Sequence, residues 1–318
     1  MGRYIDGRDS GWVRLQFAAN RTLSLFGYLF FSLLTSFILL HLLPGGPFDI
    51  DELGSSVVRD QLIEKYRLNQ PILDQFFNYL SKIIKLDFGN SFVYPSESVL
   101  SLFTSSMQNT LQIFALGLAM ILTLFVLVNY LIFVWPKLLA PVMGLYNILV
   151  AIPLMVFILI GFYIFCIFLD WTPVIFDGSA IHLIFPVFLL TFKPSVQLIV
   201  FFQRHIHEES RKKYSDLHRS FGFSEHQIQF LWAMKNSLYP CIYLFLSFLL
   251  SLISGSLLLE IIFSINGVGS LFLSALLNRD HNLILFLCGF YSIVYAAFFF
   301  LQTSFLNYLN PRTLVYEV

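Results

Sequence analysis

Apolar residues fall in runs much longer than one face of a soluble helix needs, at 23–43, 107–134, 138–168, 181–203, 238–259 and 283–306. A helix rises about 1.5 Å per residue, so about 20 apolar residues cross a hydrocarbon layer about 30 Å thick. Each run therefore predicts a transmembrane helix. Lipid offers no partner for backbone amides, and these runs lack the two-residue alternation of barrel strands. The pattern predicts an all-α membrane protein with six transmembrane helices. The stretch 44–106 is different, carrying Asp49, Asp51, Glu52, Asp60, Glu64, Asp74, Asp87 and Glu97. Its mixed polarity at 57–66 predicts a short surface helix in a small subdomain outside the membrane, with no seventh span.

Composition strengthens this picture. The 318 residues are 57% hydrophobic and 12% charged, more apolar surface than one water-soluble core can hide. Formal net charge is +0, which removes bulk charge as an argument for nucleic-acid binding. The placement of the charges says more. Arg3, Arg8, Arg14 and Arg21 precede the first run, and Arg204, Arg211, Lys212, Lys213, Arg219 and Lys235 separate the fourth from the fifth. Basic flanks stay on the cytoplasmic side, whereas 170–177 has no Lys or Arg and 260–280 has Arg279 alone. Both termini are thus expected to be cytoplasmic. The first run exceeds a signal-peptide core and no A-x-A-like site follows, so it is expected to remain as an anchor. The expected layout is a cytoplasmic segment 1–22, a first span 23–43, an extracytoplasmic segment 44–106, a five-helix core 107–306 containing a cytoplasmic loop 204–237, and a cytoplasmic tail 307–318. Cys166, Cys241 and Cys288 sit in apolar runs without CxxC spacing and read as packing residues.

The loop reads RHIHEESRKKYSDLHRSFGFSEHQIQFLWAMKNSLYP from Arg204. From His205 to Phe221 it contains no Gly or Pro, and Gly222 then offers the left-handed position that commonly ends a helix. Ser224 followed by Gln227 fits a capping box, so a second helix should start at once and run toward Pro240. A helix, a Gly turn and a second helix, continuous with spans on either side, would transmit the grip of a soluble partner to the bundle. A solvated loop that merely fixes topology explains the charges equally well.

The loop resembles the EAA region of binding-protein-dependent ABC importers, in particular the B-type permease subunit of oligopeptide and dipeptide systems. Tyr214, Gly222, Ser224, Ala233, Lys235, Asn236, Leu238 and Pro240 carry that likeness in order and spacing. Further similar strings run along the chain: LNQPILDQF from Leu68, DFGNSF from Asp87, NTLQIFAL from Asn109, Ile152-Pro153, HLIFPVFLL from His182, IFSINGVGS from Ile262, NRD from Asn278 and NPR from Asn310. The chain departs from the family at His218, Ser220 and Phe221, where Ala or Lys is preferred, and at Asn266, the place of a customary Pro. The resemblance implies the type I ABC importer permease fold in a bacterial inner membrane, forming half of a peptide pathway. It implies a second, related permease, two cytoplasmic ABC ATPase subunits and an extracytoplasmic solute-binding protein as partners. No cofactor is expected on this chain; ATP would be used by the ATPases, consistent with the lack of a GxxxxGK[ST] phosphate loop here. The ATPase-coupling residues implied are Tyr214, Asp216, Leu217, His218, Gly222 and Ser224.

Other polar residues then acquire candidate roles. Lys193 lies in a span, where a charge costs at least about 2.5 kcal/mol on insertion scales unless it faces protein or water. With Gln197 and Asn109 it is a candidate to line the pathway, where it would attract a substrate carboxylate; a structural ion pair or a snorkelling side chain is the alternative. Pro194 beside it should free a carbonyl and kink the helix. Asn109, Gln112, Asn147, Gln197 and Glu260 can also serve as interhelical hydrogen-bonding residues, and Glu260 at the outer end of its span could face the binding protein or water. Asp87, Gly267, Gly269 and Asp280 are candidates for docking that protein, although a tight turn accounts for 87–89 as well. His205, His207 and His218 have no metal-ligand spacing. Most of the 37 Phe and 15 Tyr fit lipid-facing and interfacial positions. Nickel or glutathione are alternative cargoes within the family. An intramembrane hydrolase built from His41 or His182 with Ser254 or Ser256 lacks a nucleophile motif, and a secondary transporter would need repeats and more intramembrane charge.

Overall fold

The computed structural model describes residues 9–42, 64 and 69–309. The expected surface helix at 57–66, the NPR string from Asn310 and the basic residues Arg3 and Arg8 lie outside the described residues. Among the described residues the regular structure is helical. In chain order the helices are α1 (Asp9–Leu42), α2 (Ile72–Ile84), α3 (Val99–Val134), α4 (Leu139–Ala151), α5 (Leu154–Phe162), α6 (Ala180–Ser210), α7 (Lys213–Ser220), α8 (Glu225–Ile228), α9 (Met234–Ile262), α10 (Val268–Leu277) and α11 (His281–Leu309). A short turn, Pro136–Leu138, precedes α4, and π-helical turns at Tyr163–Phe168 and Gln229–Ala233 extend α5 and join α8 to α9.

Among the described residues, five helical segments are long and apolar enough to cross a membrane: Thr22–Leu42, Val99–Val134, Ile181–Ser210, Glu225–Ile262 and His281–Phe305. The third apolar run is bent, and its two arms taken together count as a sixth span. Instead of one rod at 138–168, Pro136–Ala151 and Leu154–Phe168 meet at 101°. The cause is local: a residue before proline is pushed out of the helical region, and Ile152 is extended at φ −96°, ψ 123° before Pro153. Each arm, at about 1.5 Å per residue, falls short of a full crossing.

The chain divides into two compact units, one of residues 1–105 and 271–318 and the other of 106–270. In the first, α1 packs along α11. The hydroxyls of Ser32 and Ser292 are 2.6 Å apart, and a Cβ built on Gly289 would meet Leu33 at 3.3 Å. Phe76 of α2 lies edge-on to Phe30 and Phe37 of α1. In the second, α6 is central. Leu183, Val187, Leu190, Val196, Ile199 and Phe202 are all buried, as expected of a helix that is apolar all round. Where the drive to leave water is absent, close approach must supply the attraction. Gly161 presents its bare Cα to Leu189, and Gly255 to Leu190. α6 runs as one helix through Pro186 and Pro194.

Candidate functional site

The predicted loop becomes a compact helical elbow in the second unit. α6 stops at Ser210 although neither Gly nor Pro is present, so the single helix expected over 205–221 is in fact two. Glu209 explains the break. Its carboxylate pairs with Lys212 and accepts from the Tyr214 hydroxyl at 2.7 Å, while its main-chain carbonyl accepts from the Ser215 hydroxyl at 3.0 Å. Those side chains satisfy the α6 terminus and fix Lys212 in the extended cap position of α7. The pairing with Glu209 raises the Lys212 pKa, and burial followed by the same carboxylate raises that of Tyr214.

At the other end of α7 the Gly222 expectation holds. Gly222 has φ +86°; its N–H donates to the Arg219 carbonyl at 2.9 Å and that of Phe223 to the His218 carbonyl at 3.2 Å, the paired bonds of a Schellman ending. Ser224 forms the predicted capping box, accepting from the Gln227 amide at 3.4 Å and donating its own N–H to the Gln227 side chain at 2.9 Å. Arg219 clamps the elbow, donating to Asp216 at 2.6 Å, to Glu225 at 2.6 and 3.1 Å and to the Ser210 carbonyl at 2.8 Å. The Glu225 and Asp216 carboxylates raise its pKa, the Glu225 hydrogen bond most of all. His218 stacks on Trp232 with ring centroids 3.9 Å apart, and Phe223 stands edge-on to the same indole. The arrangement leaves Leu217 (54% exposed) and Phe221 (69%) projecting from a braced helix and its cap.

A family model, described as the binding-protein-dependent transport system inner membrane component, matches residues 136–315. The chain belongs to this family. It is an inner-membrane permease subunit of the ABC-transporter type. Its relatives include the oligopeptide transport system permease protein OppB of Haemophilus influenzae, 29% identical over 293 residues, covering 89% of this chain and 95% of that protein. OppB of Escherichia coli K12 is 30% identical over 275 residues, covering 85% and 90%. The dipeptide transport system permease protein DppB of Bacillus subtilis is 26% identical over 283 residues, covering 87% and 91%. The family match contains both the elbow and the broken helix.

The remaining candidates land in several places. Lys193 is tied to backbone: its amine donates to the Ile152 carbonyl at the break after α4. There it meets an unpaired helix end of negative polarity, which answers the cost of a charge within a span. Asn109 donates to the Asn266 carbonyl at 2.9 Å, and Gln197 lies half-buried on α6. Glu260, whose surroundings the sequence left open, is completely buried. It accepts from Thr110 at 2.8 Å and from the amides of Gly269 and Ser270 at 2.6 and 3.1 Å, capping the start of α10. Gly267 and Gly269 make room for that carboxylate; a Cβ on Gly269 would lie 2.5 Å from the Leu257 Cα. The signal was available in the sequence as a lone Glu closing an apolar run just before a Gly-x-Gly.

In the first unit, Asp280 is also buried. It caps α11 by accepting from the Leu283 amide at 3.2 Å and binds the Ser91 hydroxyl and the Phe92 amide. Asn282 donates to the Asn90 carbonyl at 3.0 Å. The DFGNSF and NRD strings are therefore two halves of one packed turn. Asp87 remains exposed and accepts from the Gly89 amide at 3.1 Å, the tight turn anticipated for 87–89. Ser256 donates to the Ile253 carbonyl at 2.9 Å, and His182 pairs with Asp177 at 2.8 Å.

Proposed function

We propose that this chain forms half of the translocation pathway of a peptide importer, in a heterodimer with a second, related permease. Two cytoplasmic ABC ATPase subunits drive it, and an extracytoplasmic solute-binding protein delivers the cargo. The chain itself carries out no ATP hydrolysis. Both termini and the elbow face the cytoplasm, in keeping with the basic flanks. Peptide cargo is supported by the oligopeptide and dipeptide permeases among its relatives.

The observation that carries the coupling role is the elbow: Leu217 and Phe221 stand exposed on a short helix whose two ends are fixed by Glu209 and Arg219. A partner that seats those two side chains moves α6 and α9 as well, because the elbow is continuous with both. ATP-driven closure of the partner then favours one access state over the other by binding it more tightly. Tyr214, Asp216, His218, Gly222 and Ser224 shape the helix, and Leu217 makes the contact. Asp87, which is exposed, is the accessible candidate for docking the binding protein, whereas Asp280, Gly267 and Gly269 shape the turns around them. Gln197, half-buried on α6, is the remaining pathway candidate. Lys193 and Asn109 act on the pathway by holding the helix break and the 264–267 turn.

Leu217→Asp with Phe221→Asp tests the reading. The expected result is a chain that inserts normally but loses co-purification with the ATPase subunits and ATP-dependent peptide uptake. Normal assembly and uptake would overturn the coupling assignment.

A further inference from the structure

In the second unit a cavity of about 460 Å³ opens between the end of α3, the beginning of α4, the last turns of α6 and residues 225–234. That volume falls within the about 300–1,000 Å³ of small-molecule sites. The cavity is two-faced. Phe133, Leu139 and Met143 give one apolar wall, and Arg204, His207 and His226 line the other side.

Charge decides what suits it. The Arg204 guanidinium lies 5.1 Å above the Tyr146 ring, and among the described residues no carboxylate pairs with it. Glu225 also reaches the cavity, but both its oxygens accept from Arg219. The Gln203 amide is engaged as well, donating to Asn129 at 2.8 Å. What remains is one unneutralised cation and two imidazoles beside an apolar wall.

We infer that this cavity binds the phosphodiester headgroup of an anionic phospholipid, with acyl chain laid along the apolar wall. A basic pocket between transmembrane helices on the cytoplasmic side suits such a headgroup. A soluble phosphate would leave the wall wet, and a zwitterionic headgroup would bring a second cation toward Arg204. The occupant would touch His226 and Gln229, which follow the Gly222 turn, and so would favour the elbow conformation that forms the cavity. The inference rests on the membrane placement of these helices and is independent of the ATPase partnership.

Native mass spectrometry of the full chain in mild detergent tests it, using phosphatidylglycerol and phosphatidylethanolamine of matched acyl chains, with inorganic phosphate as competitor. One phosphatidylglycerol should be retained with at least about tenfold preference. Arg204→Gln should reduce that retention about tenfold, whereas Lys85→Gln, which removes an exposed charge at the end of α2, should not. Met143→Trp keeps the charge and fills the wall, and should also reduce retention. Equal retention of the two lipids, full retention by both cavity variants, or displacement by millimolar phosphate would overturn the assignment. A chain that keeps the lipid but cannot bind its ATPases would overturn the coupling reading alone.

Discussion

Replacing Gly222 isolates what the elbow turn requires. Its φ of +86° is in the left-handed region, and a Cβ built there meets no atom within 4 Å. Substitution therefore carries a conformational cost and no steric one. An L-residue in that region costs about 1–2 kcal/mol, with Asn least affected because its short amide can bond locally. Val should be worst, since branching at Cβ stiffens the side chain and further restricts it. At about 1.4 kcal/mol per tenfold, the opening equilibrium of the turn should rise about fivefold for Ala and about thirtyfold for Val. The Phe223 amide, bonded to the His218 carbonyl at 3.2 Å, reports that opening through hydrogen exchange in a nanodisc-embedded chain. The expected order of exchange is Gly, Asn, Ala, Val from slowest to fastest, with affinity for the ATPase subunits falling in the same order. If Asn exchanges as fast as Val, or Ala matches Gly, left-handed geometry is not the constraint.

Three further outcomes follow from the contacts. Glu260→Ala strands the Thr110 hydroxyl and the Gly269 and Ser270 amides, at about 1–3 kcal/mol for each buried group left unpaired; the detergent-solubilised chain should melt several degrees lower, and an unchanged melt refutes the capping role. Lys193→Met releases the Ile152 carbonyl from a charged hydrogen bond worth about 1.5–3 kcal/mol; proteolysis near the α4–α5 break should accelerate, with Lys193→Arg intermediate, and equal cleavage of all three chains refutes it. Asp177 has a lowered pKa, first through the His182 hydrogen bond and then through the Ser179 amide. Its contribution is therefore complete above the ordinary aspartate pKa and disappears as pH falls through the depressed value. Protection of the Ser179 amide should follow that course in wild type and be weaker throughout in Asp177→Asn.

The sequence made most of the helices legible because a membrane span is a matter of length and apolar continuity, and both are written locally. The elbow's second half was legible for the same reason: Gly222 and the Ser224–Gln227 pair act within four residues of themselves. Its first half was not. The break at Arg211–Lys212 depends on Glu209 being met by Lys212, Tyr214 and Ser215 together, and none of those residues is a helix breaker alone. The bend in the third apolar run was hidden in plain view, since Ile152-Pro153 is a strong local signal that the long apolar run around it outweighed. The position of Lys193 could not be read at all. Its partner is a backbone carbonyl 41 residues away, and no residue type announces an unpaired helix end.

The same logic explains why the acidic candidates at 260 and 280 turned inward. α10 has ten residues, too few to cross a membrane, yet it is apolar and its start is buried. A short apolar helix cannot satisfy its own terminal amides, and the unpaired N–H groups carry partial positive charge. A carboxylate is the strongest neutralising acceptor available to such an end. Glu260 fills that place for α10, and Asp280 fills it for α11 immediately downstream. Each brings a second segment with it, Thr110 in one case and Ser91 with Phe92 in the other. In an apolar chain the flanking acids thus hold helix starts and fasten distant segments to them.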